Sequence, residues 1–408
     1  MSGTILLDVT RMAAWRWIGR PPTGLDRVCE AYARHFAPEA LAVLQIAGHA
    51  RVLDRRRSAR LFDAFEAPAG AFRRNCARLL GSPQRNHSVG GDAVYLNVGH
   101  SGFDREAHWH SLAGLAAKRV YLLHDLIPIA HPELTTAHKT ARHRGRVRKA
   151  LARADGIVAN SQATADGLAR FAQSQGVPPP PILAAPIAAR SLPQVNRTST
   201  GRPYFLCIGT IEPRKNHALL LRVWSRLIER MGHEAPQLVI AGKRGASASA
   251  ILSALEGDGR LRDIVTVRSG LSDSDLGTLL AGARALVFPT LAEGFGLPVA
   301  EALQAGVPAI ASDLPALREV GQGIPALLDP ADETAWVETI GTYCGQSADR
   351  DRQLAAMAQF RATTWADHFA SVEEWLAKLP ARRLDRREGG SAMRTPMGDS
   401  TQDRAWQC

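Results

Sequence analysis

The chain has 408 residues, 45% hydrophobic and 22% charged, with 35 Gly and 24 Pro, which is ordinary globular usage and enough for two or three domains with cores of their own. That excludes a small stapled scaffold and a collagenous or low-complexity chain. No run approaches the roughly 18 to 20 apolar residues a spanning helix needs, and the opening residues lack the basic start and long apolar stretch of a signal peptide.

Charge is distributed unevenly. Residues 1–200 hold 27 Lys+Arg against 14 Asp+Glu, a net of +13, whereas residues 201–408 hold 23 against 25, a net of −2. The first half is therefore expected to face something anionic, whether nucleic acid, a membrane surface or a phosphorylated substrate. Cys29, Cys76, Cys207, Cys344 and Cys408 are scattered and odd in number, with no C-x-x-C pair. That pattern predicts reduced thiols in a cytoplasm, no disulfide framework and no cysteine-based zinc site.

In chain order, β-branched or Leu-rich runs at 4–9, 41–46, 93–96, 119–123 and 156–159 alternate with helical patterns, and a second set follows at 204–208, 237–241, 265–267, 285–288, 309–311 and 326–328. Alternation of this kind predicts βα units and parallel sheets. A Pro-rich stretch at 176–182 and a polar run at 194–202 place the domain boundary between 186 and 202. The expectation is an α/β protein of two Rossmann-like doubly wound domains facing across a cleft: 1–190, joined by a terminal helix at 365–380, and 200–364. The tail 381–408, poor in apolar residues, is expected to be disordered. Functional residues should follow strand ends, where such sheets bind ligands.

Several features fall at those positions. Trp15-Arg16-Trp17-Ile18, beside Arg11 and Arg20, suits either core packing or a membrane surface. His100 and the pair His124-Asp125 follow strands. The acid-free run 138–153, with Arg142, Arg146 and Lys149, suits a solvated helix face, an acceptor site or anionic lipid. In the second half, the strand 204–208 enters Gly209-Thr210-Ile-Glu212-Pro213-Arg214-Lys215-Asn216, which presents a guanidinium fork and a point charge before a helix at 217–230. Asp273-Ser-Asp275 copies a metal-binding Asp-x-Asp, but Ser272 three residues before Asp275 predicts a helix cap instead. Last comes Glu293-Gly294-Phe295-Gly296-Leu297-Pro298-Val-Ala-Glu301, after the strand 285–288. Its glycines allow close backbone approach, and Pro298 starts a helix ending at Gly306, whose unpaired amides suit a diphosphate. Glu293 and Glu301 are poor phosphate ligands but good acceptors for sugar hydroxyls.

The second half resembles retaining glycosyltransferases of family 4, with the two-domain GT-B fold. The resemblance rests on two glutamates with seven residues between them and on the Gly-Thr-x-Glu-Pro-Arg-Lys-Asn turn. It extends to Thr23-Gly24-Leu25-Asp26-Arg27-Val28 at the cleft, the His124-Asp125 turn, Val158-Ala-Asn160-Ser161 and Thr364-Trp365. It implies that Glu293 meets the donor sugar, Glu301 the nucleotide ribose, and Lys215 and Arg214 the diphosphate, with Gly24, Gly209, Thr210, Gly294, Phe295, Gly296 and Leu297 lining the donor site and His124 near the sugar. Many relatives carry Arg where Thr210 stands. The implied activity is hexosyl transfer, with mannose from GDP-mannose first and UDP-glucose second, to a lipid-linked oligosaccharide at a cytoplasmic membrane face, using no metal or other cofactor. Competing readings are nucleic-acid binding through 138–153, for which no aromatic platform or finger spacing exists, and a nicotinamide oxidoreductase, for which the first strand lacks G-x-G-x-x-G.

Overall fold

The computed structural model describes residues 3–20, 22–46, 49–80, 92–190, 192, 202–246 and 248–380. Most of the polar run at 194–202, Cys408 and the tail 381–408 lie outside the described residues. The first sheet contains β1 (Ile5–Asp8), β2 (Leu41–Ile46), β3 (His49–Val52), β4 (Ala93–Asn97), β5 (Ala117–Leu123), β6 (Gly156–Ala159) and β7 (Ile182–Ala184), in the order β3-β2-β1-β4-β5-β6-β7. The second contains β8 (Tyr204–Ile208), β9 (Gln237–Ala241), β10 (Val265–Arg268), β11 (Ala285–Phe288), β12 (Ala309–Ser312) and β13 (Ala326–Leu328), in the order β10-β9-β8-β11-β12-β13. All pairings are parallel except β2 with β3. Central strands such as β4, β5 and β11 are buried along their whole length, as parallel strands covered on both faces must be.

Two strands escape the sequence reading for physical reasons. β3 is an edge strand, His-Ala-Arg-Val, with alternate residues exposed and no apolar run to mark it. β7 is three partly buried residues directly after the prolines.

The strand order reverses between β1 and β4 and again between β8 and β11, so each sheet has a crevice at its carboxyl edge at that point. The turns that follow β8 and β11 carry Lys215 and Glu293, and the helix Gly24–Phe36 begins beyond β1. Topology thus brings the singled-out motifs to two facing crevices.

The helix Trp365–Lys378 starts at Thr364, whose side chain and that of Asp367 form a capping box. It returns to the first domain. His368 Nε2 lies 2.8 Å from Tyr32 Oη, and the Phe369 ring stacks on His35 at 3.8 Å. Lys118 donates from Nζ to the Leu379 carbonyl at 2.6 Å, and the Trp375 ring occupies the space where a side chain on Gly156 would stand.

Burial holds four histidines neutral: His108 is pushed down to about 3, and His124, His217 and His368 to about 4. Their folded values lie below the unfolded one near 6.5, so the unfolded chain takes up protons first as the medium is acidified. Stability contributed by their neutral forms is complete above about pH 6.5 and is lost as pH falls towards 4. Lowering pH from 6.5 to 5.5 is expected to cost on the order of 1 kcal/mol per histidine. Urea midpoints at the two pH values check this; a midpoint that rises on acidification contradicts it.

Candidate active site

A cavity of about 730 Å³ lies between the two sheets. The first domain lines it with Gly24, His124, Asp125 and Arg190, and the second with Gly209, Thr210, Arg214, Lys215, Glu293, Gly294, Phe295, Gly296, Leu297 and Glu301. Its size falls within the range of small-molecule sites. The sequence-predicted donor residues therefore share one space.

The turn after β11 is shaped by its glycines. Gly296 has φ 103° and precedes the helix Leu297–Gln304, with Pro298 in its first turn, one residue from the predicted start. A Cβ at Gly296 would stand 2.4 Å from Leu317 Cδ2. The amides of Phe295, Gly296 and Leu297 meet no acceptor among the described residues, which leaves donors and the positive end of a helix at the cleft wall.

Opposite, Pro213–Lys215 form a single 3₁₀ turn closed by Asn216 at φ 54°, from which the helix His217–Met231 departs. Lys215 is buried, with its ammonium 4.3 Å from the Phe288 ring centre, and donates to Glu293 Oε1 at 2.5 Å. Arg214 Nη1 reaches the same oxygen at 2.6 Å, its Nη2 binds Glu212 at 2.8 Å, and Thr290 Oγ1 lies 3.0 Å from Oε1. Burial alone would raise the Glu293 carboxyl; Lys215 and Arg214 overturn that and hold it below its ordinary value. Lys215 is shifted down by its burial, which Glu293 opposes. Three donors converge on Oε1, so Oε2 keeps no partner among the described residues and is the oxygen able to accept a hydroxyl.

Glu301 is engaged differently. Arg190, at the end of the first domain, grips its carboxylate with Nε at 2.6 Å and Nη2 at 3.0 Å, and reaches Asp273 from Nη1 at 2.9 Å. Arg27 takes Asp273 in a second fork, at 3.0 and 2.9 Å. A ladder of four charges therefore crosses the cleft. Sequence reading gave Arg190 and Arg27 no role, although Arg27 stands in the turn at 23–28, because their partners are over 80 residues away. Ser272 caps its helix with Asp275 in a capping box, as expected, which leaves Asp273 of the Asp-x-Asp free to form the ladder. Removing Arg190 would strand a carboxylate whose side chain is 2% exposed. Arg190→Ala is thus expected to lower unfolding free energy by about 3 kcal/mol, and adding Glu301→Gln to recover part of it. Chemical denaturation reads both; equal midpoints for wild type and Arg190→Ala would show the pair to be idle.

On the first-domain wall, His124 Nε2 donates to the Val98 carbonyl at 3.0 Å, so Nδ1 carries the lone pair of a neutral imidazole. His100, at φ 60°, bonds the Leu122 carbonyl, and its ring lies tilted with its centre 5.1 Å from that of His124, while His143 donates to the Asp125 carbonyl at 3.0 Å. His143 thereby supports the His124-Asp125 turn. The domains touch through backbone: Gly294 O accepts from Ser161 Oγ at 2.6 Å and Thr164 Oγ1 at 3.2 Å, and Glu319 accepts the amides of Gln162 and Ala163 at 2.8 and 3.0 Å.

The basic run reads differently in three dimensions. Arg142 and Arg146 pair with Asp104, and Lys149 and Arg153 pair with Glu106. Arg142, Arg146 and Lys149 do not line the cleft. These two acids, 38 or more residues upstream, meet four of the seven basic side chains of the run, and Lys139, Arg144 and Arg148 are exposed. Trp15 packs in the core, but Trp17 and Ile18 do not. Among the described residues no three His, Cys, Asp or Glu side chains are placed to hold a metal, and no helix is long and apolar enough to cross a membrane.

Two parallel α/β domains enclosing such a cleft define the GT-B class of glycosyltransferase folds, and solved structures agree. HepE of Anabaena, in complex with UDP and glucose, superposes with a TM-score of 0.62 at 15% identity, over 92% of this chain and 100% of that one. Sucrose-phosphate synthase of Thermosynechococcus elongatus gives 0.62 at 15% identity, over 91% and 98%. At that identity the likeness shows fold alone. Residues 202–345, in the second domain, match the family model for glycosyl transferases group 1. O-antigen chain mannosyltransferase B of Escherichia coli is 34% identical over 167 residues, which are 40% of this chain and 42% of that protein. O-antigen chain mannosyltransferase RfbU of Salmonella typhimurium is 33% identical over 140 residues, 34% of this chain and 37% of that protein. The matched stretches thus span less than half the length of these relatives.

Proposed function

We propose that this protein transfers mannose from GDP-mannose to a hydroxyl of a lipid-linked O-antigen-type glycan, keeping the anomeric configuration and using no metal, at the inner face of a cytoplasmic membrane. The observation that carries the reading is the cluster of Lys215, Arg214 and Glu293 facing the unpaired amides of Phe295, Gly296 and Leu297 across one cleft. Cleavage of the bond between the anomeric carbon and the diphosphate oxygen leaves negative charge on the departing group, and preorganised positive groups there lower the barrier. Lys215, Arg214 and the three amides supply that charge. Glu293, with two cations on one oxygen, is a weak nucleophile and acts as a sugar-hydroxyl acceptor through Oε2. The acceptor oxygen then bonds the anomeric carbon on the face the diphosphate leaves, and its proton passes to the diphosphate. The relatives named as mannosyltransferases support mannose as the sugar. Nucleic acid is the weaker reading, since four of the seven cations of 138–153 are already paired with Asp104 and Glu106.

The test offers the purified chain GDP-mannose or UDP-glucose with a lipid-linked glycan extract, and follows nucleotide release and product mass. Mannosyl transfer from GDP-mannose is expected, with turnover unchanged in 5 mM EDTA as a chosen assay condition of about millimolar strength. Transfer from UDP-glucose alone, or turnover abolished by the chelator and restored by a divalent cation, would reject the corresponding part.

A further inference from the structure

The large apolar side chains exposed among the described residues are Trp17, at 38%, and Ile18, at 59%, adjacent at the end of the helix Thr10–Ile18. The same helix buries Met12 and Trp15, so the pair stands off the core face by design of the spacing. Beside it packs the helix Ala69–Leu80, and Arg73 Nε donates to the Trp17 carbonyl at 2.7 Å. This second helix buries Phe72, Cys76 and Leu79 and exposes 70, 73, 74, 77 and 78, a single stripe at helical spacing that includes Arg73, Arg74 and Arg78. Neither helix contains an acidic residue.

Single exposed hydrophobic residues are ordinary. An amphipathic Trp with an Ile neighbour, bordered by the exposed arginines of a helix that itself holds no acid, has the composition of an interfacial anchor. We infer that the Trp17–Ile18 tip and the Arg73, Arg74 and Arg78 stripe form a docking surface for an anionic phospholipid bilayer, and that this surface, rather than the run 138–153, seats the protein. The inference rests on the lipid-linked acceptor proposed above and deepens it by placing the membrane. The helix Thr10–Ile18 leaves β1 at the cleft, where Arg11 binds Asp26 of the Gly24–Phe36 helix at 2.7 Å. Nine helical residues span about 13 Å. Docking at Trp17 therefore leaves about the length of this helix between the headgroups and the first-domain wall, so that a lipid-anchored glycan reaches the cleft while its anchor stays in the bilayer.

Flotation of the full-length protein on phosphatidylcholine vesicles, with or without phosphatidylglycerol, tests this at low and high salt. Binding is expected only with the anionic lipid and weaker at high salt. Trp17→Ala/Ile18→Ala is expected to weaken binding about tenfold, and Arg73→Glu/Arg74→Glu/Arg78→Glu on the order of a hundredfold. All five positions are on the surface, so urea midpoints should stay at the wild-type value. Wild-type binding by both variants, or equal binding to uncharged vesicles, overturns the proposal. A wild-type dimer that the Trp17/Ile18 variant dissociates would assign the patch to a second copy and overturn it too. Donor turnover in solution separates the two readings: patch-dependent flotation without mannosyl transfer defeats the function alone, and transfer with patch-independent flotation defeats the docking surface alone.

Discussion

Lys215→Ala is expected to lower turnover of the sugar donor by about a hundred- to a thousandfold, the usual cost of removing one preorganised charge-stabilising donor. Lys215 is buried and its ammonium is fixed by Glu293 Oε1 and the face of Phe288, so it needs no reorganisation when charge develops nearby. Arg214 does not replace it, because its guanidinium is shared among Glu212, the Ala292 carbonyl and Glu293. The loss should appear in kcat more than in KM, since the charge being met is larger in the transition state than in the bound donor. Glu293 keeps Arg214 and Thr290 in the variant and so remains ionised. A urea midpoint near wild type would show that the fold survives. Turnover within a few-fold of wild type would take the diphosphate role away from Lys215.

How much of this was legible in the sequence depended on the range of the interaction. Strands buried on both faces announce themselves by composition, and 285–288 or 237–241 coincide with the observed β11 and β9. Ser272 with Asp275 and Thr364 with Asp367 are contacts three residues apart, so spacing alone reveals such caps. The glycine turns could be placed because βα order fixes which strand end each follows. Arg190 on Glu301, Arg27 on Asp273 and Glu319 on the 162–163 amides join residues 111, 246 and 157 positions apart, and no local pattern encodes those distances. The pairing of Arg142, Arg146, Lys149 and Arg153 with Asp104 and Glu106 was hidden for the same reason, since the two acids stand 38 or more residues upstream. The edge strand β3 and the short β7 were silent because neither buries a full apolar face.

Gly294→Ala is expected to abolish the proposed transfer with little loss of fold, because the obstacle it creates lies between the domains. A Cβ there would stand 2.1 Å from the His124 carbonyl oxygen and 2.9 Å from Asp125 Cβ. The nearer contact is backbone and cannot swing aside, so the two walls must part by more than about 1 Å to restore an ordinary separation near 3.5 Å. Parting them stretches the bonds from Ser161 and Thr164 to the Gly294 carbonyl and carries Glu293 away from the His124 wall. Displacement of about 1 Å between reacting groups costs on the order of a hundredfold in rate. The core clusters around Trp224 in the second domain and around Tyr95 and Tyr121 in the first lie away from the added methyl, so the urea midpoint should move little. Crystals or small-angle scattering of the variant should show the lobes further apart. A Gly294→Ala protein with wild-type kcat and an unchanged cleft would mean that catalysis does not require this close approach, and that the Glu293 turn works without the His124-Asp125 wall against it.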